Sequence, residues 1–154
     1  MMTVRPLTAE DVAPCAEIMV HNDLWQRHGI TRDMALIRFE NGLLDETARI
    51  QVGQLRGKVA GFIWYYLRGT FYSGAYIRLV GVDKAYQGQG LGRMLMKHAE
   101  QDVQPVANQI FLLVSDFNES AQVFYQRLGY TSIGAIPDFV TSGVSEIIYW
   151  KRFV

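Results

Sequence analysis

Residues 87–92 read Gln-Gly-Gln-Gly-Leu-Gly, with Arg93 directly behind them. Such a density of glycine is costly, because glycine loses more backbone freedom on folding than any other residue. On one side, the apolar run Ala75 to Val82 reads as a strand. On the other, Leu91, Met94, Leu95, His98 and Ala99 are spaced to cover a core, so a helix is predicted from Leu91 to about Val103. A glycine turn between strand and helix presents unpaired N–H groups and the positive end of the helix dipole, which together make an anion site. A tight turn with nothing bound is the other reading of the same residues.

Two phosphate motifs are excluded by spacing. A G-x-G-x-x-G fingerprint counted from Gly88 needs glycine where Arg93 stands, and it belongs after the first strand of a βαβ unit. A G-x-x-x-x-G-K-[ST] loop counted from Gly88 needs glycine and lysine where Arg93 and Met94 stand.

Working outward, Thr8-Ala-Glu-Asp11 looks like a helix start, and Val12, Cys15, Ala16, Ile18 and Met19 continue at helical spacing. A second helix is predicted from Thr31 through Phe39, stopping near Asn41-Gly42. The period then changes to two. Ile50, Val52 and Leu55 lead to the turn Arg56-Gly57, and Val59 to Leu67 returns as the second strand of a hairpin. Beyond the glycine helix, Ile110 to Val114 reads as a buried strand. Asn118 to Leu128 reads as a helix ended by Gly129, and Ile147 to Trp150 as a last strand. No linker, repeat or low-complexity stretch interrupts this order, so residues 1–154 are expected to form one domain. The class is mixed α/β (α+β): an N-terminal antiparallel meander, a parallel central pair, and about four flanking helices.

The 154 residues are 49% hydrophobic and 19% charged, a globular composition. Fifteen basic residues balance fifteen acidic ones, so no overall field favours nucleic acid or an anionic membrane. Cys15 stands alone, and His21, His28 and His98 lack the spacing of a zinc helix, so no metal site is expected. The N-terminus has no apolar signal region and no apolar run is long enough to span a bilayer, so a cytoplasmic location is expected.

The stretch Leu79 to Met96 resembles the acyl-CoA signature of the GNAT superfamily of N-acetyltransferases. Gln87, Gly90 and Gly92 meet its Q/R-x-x-G-x-G/A core. Asn118 to Tyr130 is similar to that family's N-x-x-A-x-x-F-Y-x-x-x-G-F/Y helix. The resemblance implies a GNAT fold and acetyl-CoA as co-substrate. It gives the backbone of Val80, Gly81 and Val82 to the pantetheine arm, with the Val80 N–H polarising the thioester. Gln87, Gly88, Gln89, Gly90, Leu91, Gly92 and Arg93 would hold the pyrophosphate, and Asn118 would touch the CoA arm. Tyr125 would protonate the departing thiolate.

No general base is found. The family's two carboxylate positions are occupied here by Tyr76 and Leu113. Ordered water, or an amine arriving partly neutral, is the expected substitute. Strict alternation would put Tyr76 and Arg78 on the face of Val80, bordering an acceptor pocket that Trp64 and other aromatics could line. Asp23, Glu40 and Asp138 could meet a cationic substrate. The expected activity is transfer of an acetyl group to a primary amine by direct attack, on a small molecule or on a protein N-terminus or lysine. The competing reading is a CoA-binding regulatory module without turnover. The terminal strand Glu146 to Trp150 could pair across a homodimer or complete its own sheet.

Overall fold

The alternating segments in the middle of the chain build the sheet from which everything else hangs. In the computed structural model, which describes residues 1–153, β1 (Met2–Pro6), β2 (Arg49–Leu55), β3 (Lys58–Thr70) and β4 (Gly74–Val82) form an antiparallel meander. Arg56 and Gly57 make the β2–β3 turn with φ of 55° and 77°, the doubly positive geometry of a two-residue hairpin. β5 (Gln109–Ser115) joins β4 in parallel, and β7 (Glu146–Arg152) lies between β5 and β6 (Thr131–Ile136). The order across the seven strands is β1-β2-β3-β4-β5-β7-β6.

Two apolar layers cover this sheet. On one face, α1 (Val12–Val20), α2 (Asp23–Arg27) and α3 (Arg32–Leu44) bury Cys15, Met19, Trp25 and Phe39 against Val52, Phe62 and Trp64. On the other, α4 (Leu91–Val103) brings Leu91, Leu95, Met96 and Ala99 onto Ile63, Tyr65, Ile77 and Leu112, and α5 (Glu119–Arg127) adds Phe124 and Tyr125 at the margin. The predicted mixed architecture is the observed one, with five helices where about four were expected.

Several differences have physical reasons. The first helical segment opens with a short 3₁₀ turn at Ala9–Asp11, where the Thr8 N–H donates to the Asp11 carboxylate at 2.8 Å. α3 runs past Asn41-Gly42 to Leu44, because Gly42 sits under Ile50 and Trp64 as a packing residue and does not cap the helix. β1 and β6 are edge strands not anticipated, and nearly all of β6 is exposed, which removes the alternating signal. β7 bonds to β5 and to β6 along its length. It therefore completes its own sheet, the second of the two readings of this strand.

Candidate active site at the split between strands 4 and 5

β4 and β5 pair only from Ala75–Ile110 to Ile77–Leu112. Beyond that point β4 stays with β3 and β5 stays with β7, and a gap opens between them. A cleft of about 630 Å³ occupies the gap, lined by Tyr76, Val80, Ser115, Asn118 and Tyr125, with His28 on its far wall.

A β-bulge decides which side chains reach which side. Trp64 pairs with Leu79 while Tyr65 pairs with Ile77, so Arg78 is the extra residue on β4. Before the bulge, Ala75 and Ile77 face the α4 layer; after it, Val80 and Val82 do, whereas Leu79 faces the α1–α3 layer. Tyr76 and Arg78 therefore lie on the face opposite Val80, which corrects the expectation from strict alternation. The Arg78 guanidinium stands 4.5 Å above the Trp64 ring on that face.

Backbone direction follows from the same register. The Asp83 N–H donates to the Ala60 carbonyl at 2.8 Å, across the Val82–Gly61 pair. That pair, and the Val80–Ile63 pair two residues away, are thus the non-bonded kind, so Val80 and Val82 turn their N–H and C=O groups into the gap. The Gln87 side-chain amide donates to the Val82 carbonyl at 3.4 Å.

The glycines after β4 do different jobs. Gly88 and Gly90 have φ of +78° and +84°, and nothing lies within 4 Å of where a Cβ would stand on either. The left-handed backbone demands glycine there, and its bare side is open. Gly90 caps α4, and its carbonyl accepts the first helical bond from Met94 N–H, leaving the N–H groups of Leu91, Gly92 and Arg93 without helical partners. Gln89 and Arg93 are exposed beside them. A Cβ on Gly92 would come 3.4 Å from Phe124 Cζ, so this residue serves the α4–α5 contact. The Leu91 side chain is core, and a Cβ on Gly81 would stand 2.6 Å from Phe62 Cζ. Only the backbones of Leu91 and Gly81 are available to a ligand.

Asn118 caps α5, its side-chain oxygen accepting from Ala121 N–H at 3.3 Å. Tyr125 packs edge-on against Phe124 and Tyr130, with ring centroids 5.1 and 5.8 Å away, and reaches the cleft. Burial pushes its phenol above the ordinary value, so it holds its proton. Trp64 is 2% exposed and belongs to the core, while Tyr72 is exposed at the β3–β4 turn. Tyr76 and Trp25 both line the cleft. Asp23 is spent on Lys84 at 2.9 Å, and Asp138 accepts from Gly143 N–H at 2.7 Å within its own loop.

A chain of side chains that the sequence reading missed crosses this cleft. The Ser115 hydroxyl donates to Glu146 Oε2 at 2.8 Å. Its oxygen lies 2.9 Å from His28 Nε2, which must then be the donor, and His28 Nδ1 is 2.6 Å from the Thr141 hydroxyl. Glu146 is buried at the start of β7. Four residues, from the C-cap of α2, β5, the β6–β7 loop and β7, thus form one line ending on a buried carboxylate. No local spacing connects them, and Glu146 shows in the sequence only as an acid heading an apolar strand.

The model of the "Acetyltransferase (GNAT) family" matches residues 10–130. The chain belongs to the GNAT acetyltransferase family. Among curated proteins it is 30% identical over 97 residues to blasticidin-S acetyltransferase of Streptomyces morookaense, covering 62% of this chain and 65% of that one. It is 26% identical over 139 residues to N-alpha-acetyltransferase RimI of Mycobacterium tuberculosis, covering 86% and 80%. The chain therefore spans just under two thirds of the length of the first of these relatives. A GNAT-family protein of Desulfovibrio desulfuricans superposes with a TM-score of 0.82 at 18% identity, covering 99% of each chain. The yncA protein of Salmonella typhimurium, solved with acetyl-CoA, superposes at 0.77 and 20% identity, covering 100% of this chain and 95% of that one. Within this GNAT domain Val80 of β4, Gln87 of the glycine loop, Ser115 of β5 and Tyr125 of α5 all border one opening. Glu146, at the head of β7, is a carboxylate that lines the same opening.

Proposed function

We propose that the protein transfers an acetyl group from acetyl-CoA to a primary amine by direct attack. One observation carries the reading: the Val80 and Val82 backbone groups face an unpaired gap, and β4 continues through the glycine loop into the free N-terminus of α4. An extended amide-bearing arm could bond there as an added strand does, with its anionic end on the N–H groups of Leu91, Gly92 and Arg93. Bound acetyl-CoA supplies an activated acyl group and a thiolate leaving group. The Val80 N–H is a fixed, unspent donor where charge develops on the acyl oxygen. Tyr125 holds the proton that the leaving sulfur takes. Glu146, steered by Ser115, accepts the proton that the amine gives up.

A covalent acyl-cysteine route finds no support. Cys15 is fully buried in α1, and burial pushes its thiol up to about 12. Glu146 also weakens the case for a regulatory module without turnover, which rested on the missing carboxylate.

Isothermal titration with acetyl-CoA tests the binding half, with Gly90→Glu as the variant that sets a carboxylate where the phosphates would lie. Micromolar binding lost in the variant, followed by amine-dependent thiol release, is the expected result. A wild-type chain that fails to bind acetyl-CoA would sink the reading.

A further inference from the structure

The acceptor end of the cleft has two poles of opposite charge. At one is Glu146, 6% exposed, which receives a hydrogen bond from Ser115 and is paired with no cation among the described residues. A buried carboxylate without a cation is costly, and an ammonium is the group that relieves the cost. At the other pole are Arg38, half-buried on α3, and Arg78, set on the β4 bulge. Among the described residues neither guanidinium forms an ion pair. Both line the 630 Å³ cleft, and both also line a neighbouring cavity of about 400 Å³.

Burial and the adjacent Arg78 charge each push Arg38 below the usual guanidinium value, so the two cations lie close enough to repel. The acids nearby do not answer them. Asp45, in the smaller cavity, accepts from Thr47 and from the Tyr66 hydroxyl, and Asp23 is held by Lys84. Tyr76 stands between the poles, its phenol within Coulombic reach of both Arg78 and Glu146.

Resting on the acetyltransferase reading, we propose that the acceptor is an amine that itself carries a carboxylate, its ammonium seated at Glu146 and its carboxylate at Arg38 and Arg78. Planar guanidinium forks match a carboxylate, and two of them left without partners in one opening form a receptor for it. A polycationic acceptor would meet the same two charges as repulsion. The poles also orient the substrate, since the amine is drawn to the group that takes its proton.

The test is thiol release from acetyl-CoA with matched triplets: each proteinogenic α-amino acid, its carboxamide and its decarboxylated amine. β-Alanine, O-phosphoethanolamine and spermidine complete the panel. Turnover of carboxylated amines well above their amides is expected. In Arg78→Gln and Arg38→Gln, KM for the preferred amine should rise about 10- to 100-fold, the loss expected for a hydrogen-bonded charge, with partial recovery in Arg78→Lys. The acetyl-CoA Kd of these variants should stay at the wild-type value, which separates loss of the subsite from loss of the fold. Equal turnover of acid and amide, preference for spermidine, or use of O-phosphoethanolamine alone overturns the carboxylate assignment. So does thiol release from no carboxylated amine in a protein that binds acetyl-CoA. Failure to bind acetyl-CoA at all overturns the acetyltransferase reading instead.

Discussion

Alanine at Gly90 and alanine at Gly92 should behave oppositely, although the two glycines are two residues apart in one motif. Gly90 has φ +84°, where an L side chain strains the backbone by about 1–2 kcal/mol. No atom lies within 4 Å of the added Cβ, so strain is the whole effect on the free protein. For a chain of this length that lowers Tm by about 2–8 °C. At Gly92 φ is ordinary, and the Cβ meets Phe124 Cζ at 3.4 Å and Val82 Cγ2 at 3.7 Å, close to normal contact. Helix propensity favours alanine there by up to about 1 kcal/mol, so Tm should hold or rise. Binding should separate them further. The Gly90 Cβ would project into the open side of the loop that the phosphates must use, and losing one charge-assisted bond weakens acetyl-CoA about 10- to 100-fold. Gly92→Ala should bind within about threefold of wild type, since its Cβ points at Phe124 and away from the anion. Thermal melts and acetyl-CoA titrations of the two variants decide the matter. A Gly90→Ala protein that melts early yet binds normally would show that the pyrophosphate does not occupy the bare side of this loop. The site drawn here would then be wrong.

Three further outcomes are expected. Tyr125→Phe should lower kcat about 100-fold or more with the acetyl-CoA Kd unchanged; because burial raises the phenol, the wild-type rate should show no loss from this group until pH passes well above its usual value near 10. Gly81→Ala should destabilise by about 1–3 kcal/mol in chemical denaturation, since its Cβ would stand 2.6 Å from Phe62 Cζ and 3.0 Å from Trp25 Cη2. Asp11→Asn should cost about 1–3 kcal/mol, because Asp11 accepts two bonds from Arg5, at 2.7 and 2.9 Å, beside the Thr8 N–H. The Arg5 bond, with Thr8, holds the Asp11 carboxyl below the ordinary carboxylate value, so its contribution is present above about pH 4 and fades as pH falls through the lowered value. The gap between wild type and variant should therefore close in acid.

What could be read from the chain was whatever is local. The loop from Gln87 to Arg93, the α4 stripe of Leu91, Leu95 and Ala99, and the Asn118 cap each announce themselves within one turn or one strand. What could not be read depends on partners far apart in sequence. Glu146, Ser115 and His28 meet because β5 and β7 pair and His28, capping α2, reaches the last residue of β5; the His28–Ser115 bond spans 87 positions. A search for the base at its familiar strand positions finds Tyr76 and Leu113 and stops. The carboxylate proposed for that role, Glu146, lines the cleft from β7, two strands from Tyr76 in the sheet order.

The bulge at Arg78 shows why alternation failed where it mattered most. Without an extra residue, the strand that puts Ala75 and Ile77 into the α4 core would carry Leu79 and Gly81 there too, and Val80 would turn its side chain toward α1. One inserted residue moves Val80 and Val82 into that core while Gly81 faces Phe62, whose ring leaves no room for a side chain. It also leaves Arg78 unpaired with β3, free to lean on Trp64 and face the acceptor opening with Arg38. The Val80 N–H and the Arg78 guanidinium, two residues apart, thereby point to different places: the gap between β4 and β5, where the proposed acyl donor would lie, and the opening where the proposed acceptor would bind. Bulges of this kind re-aim side chains beside active sites. The residue that spoils the period of the strand is the one that sends Val80 and Arg78 to opposite faces of the sheet.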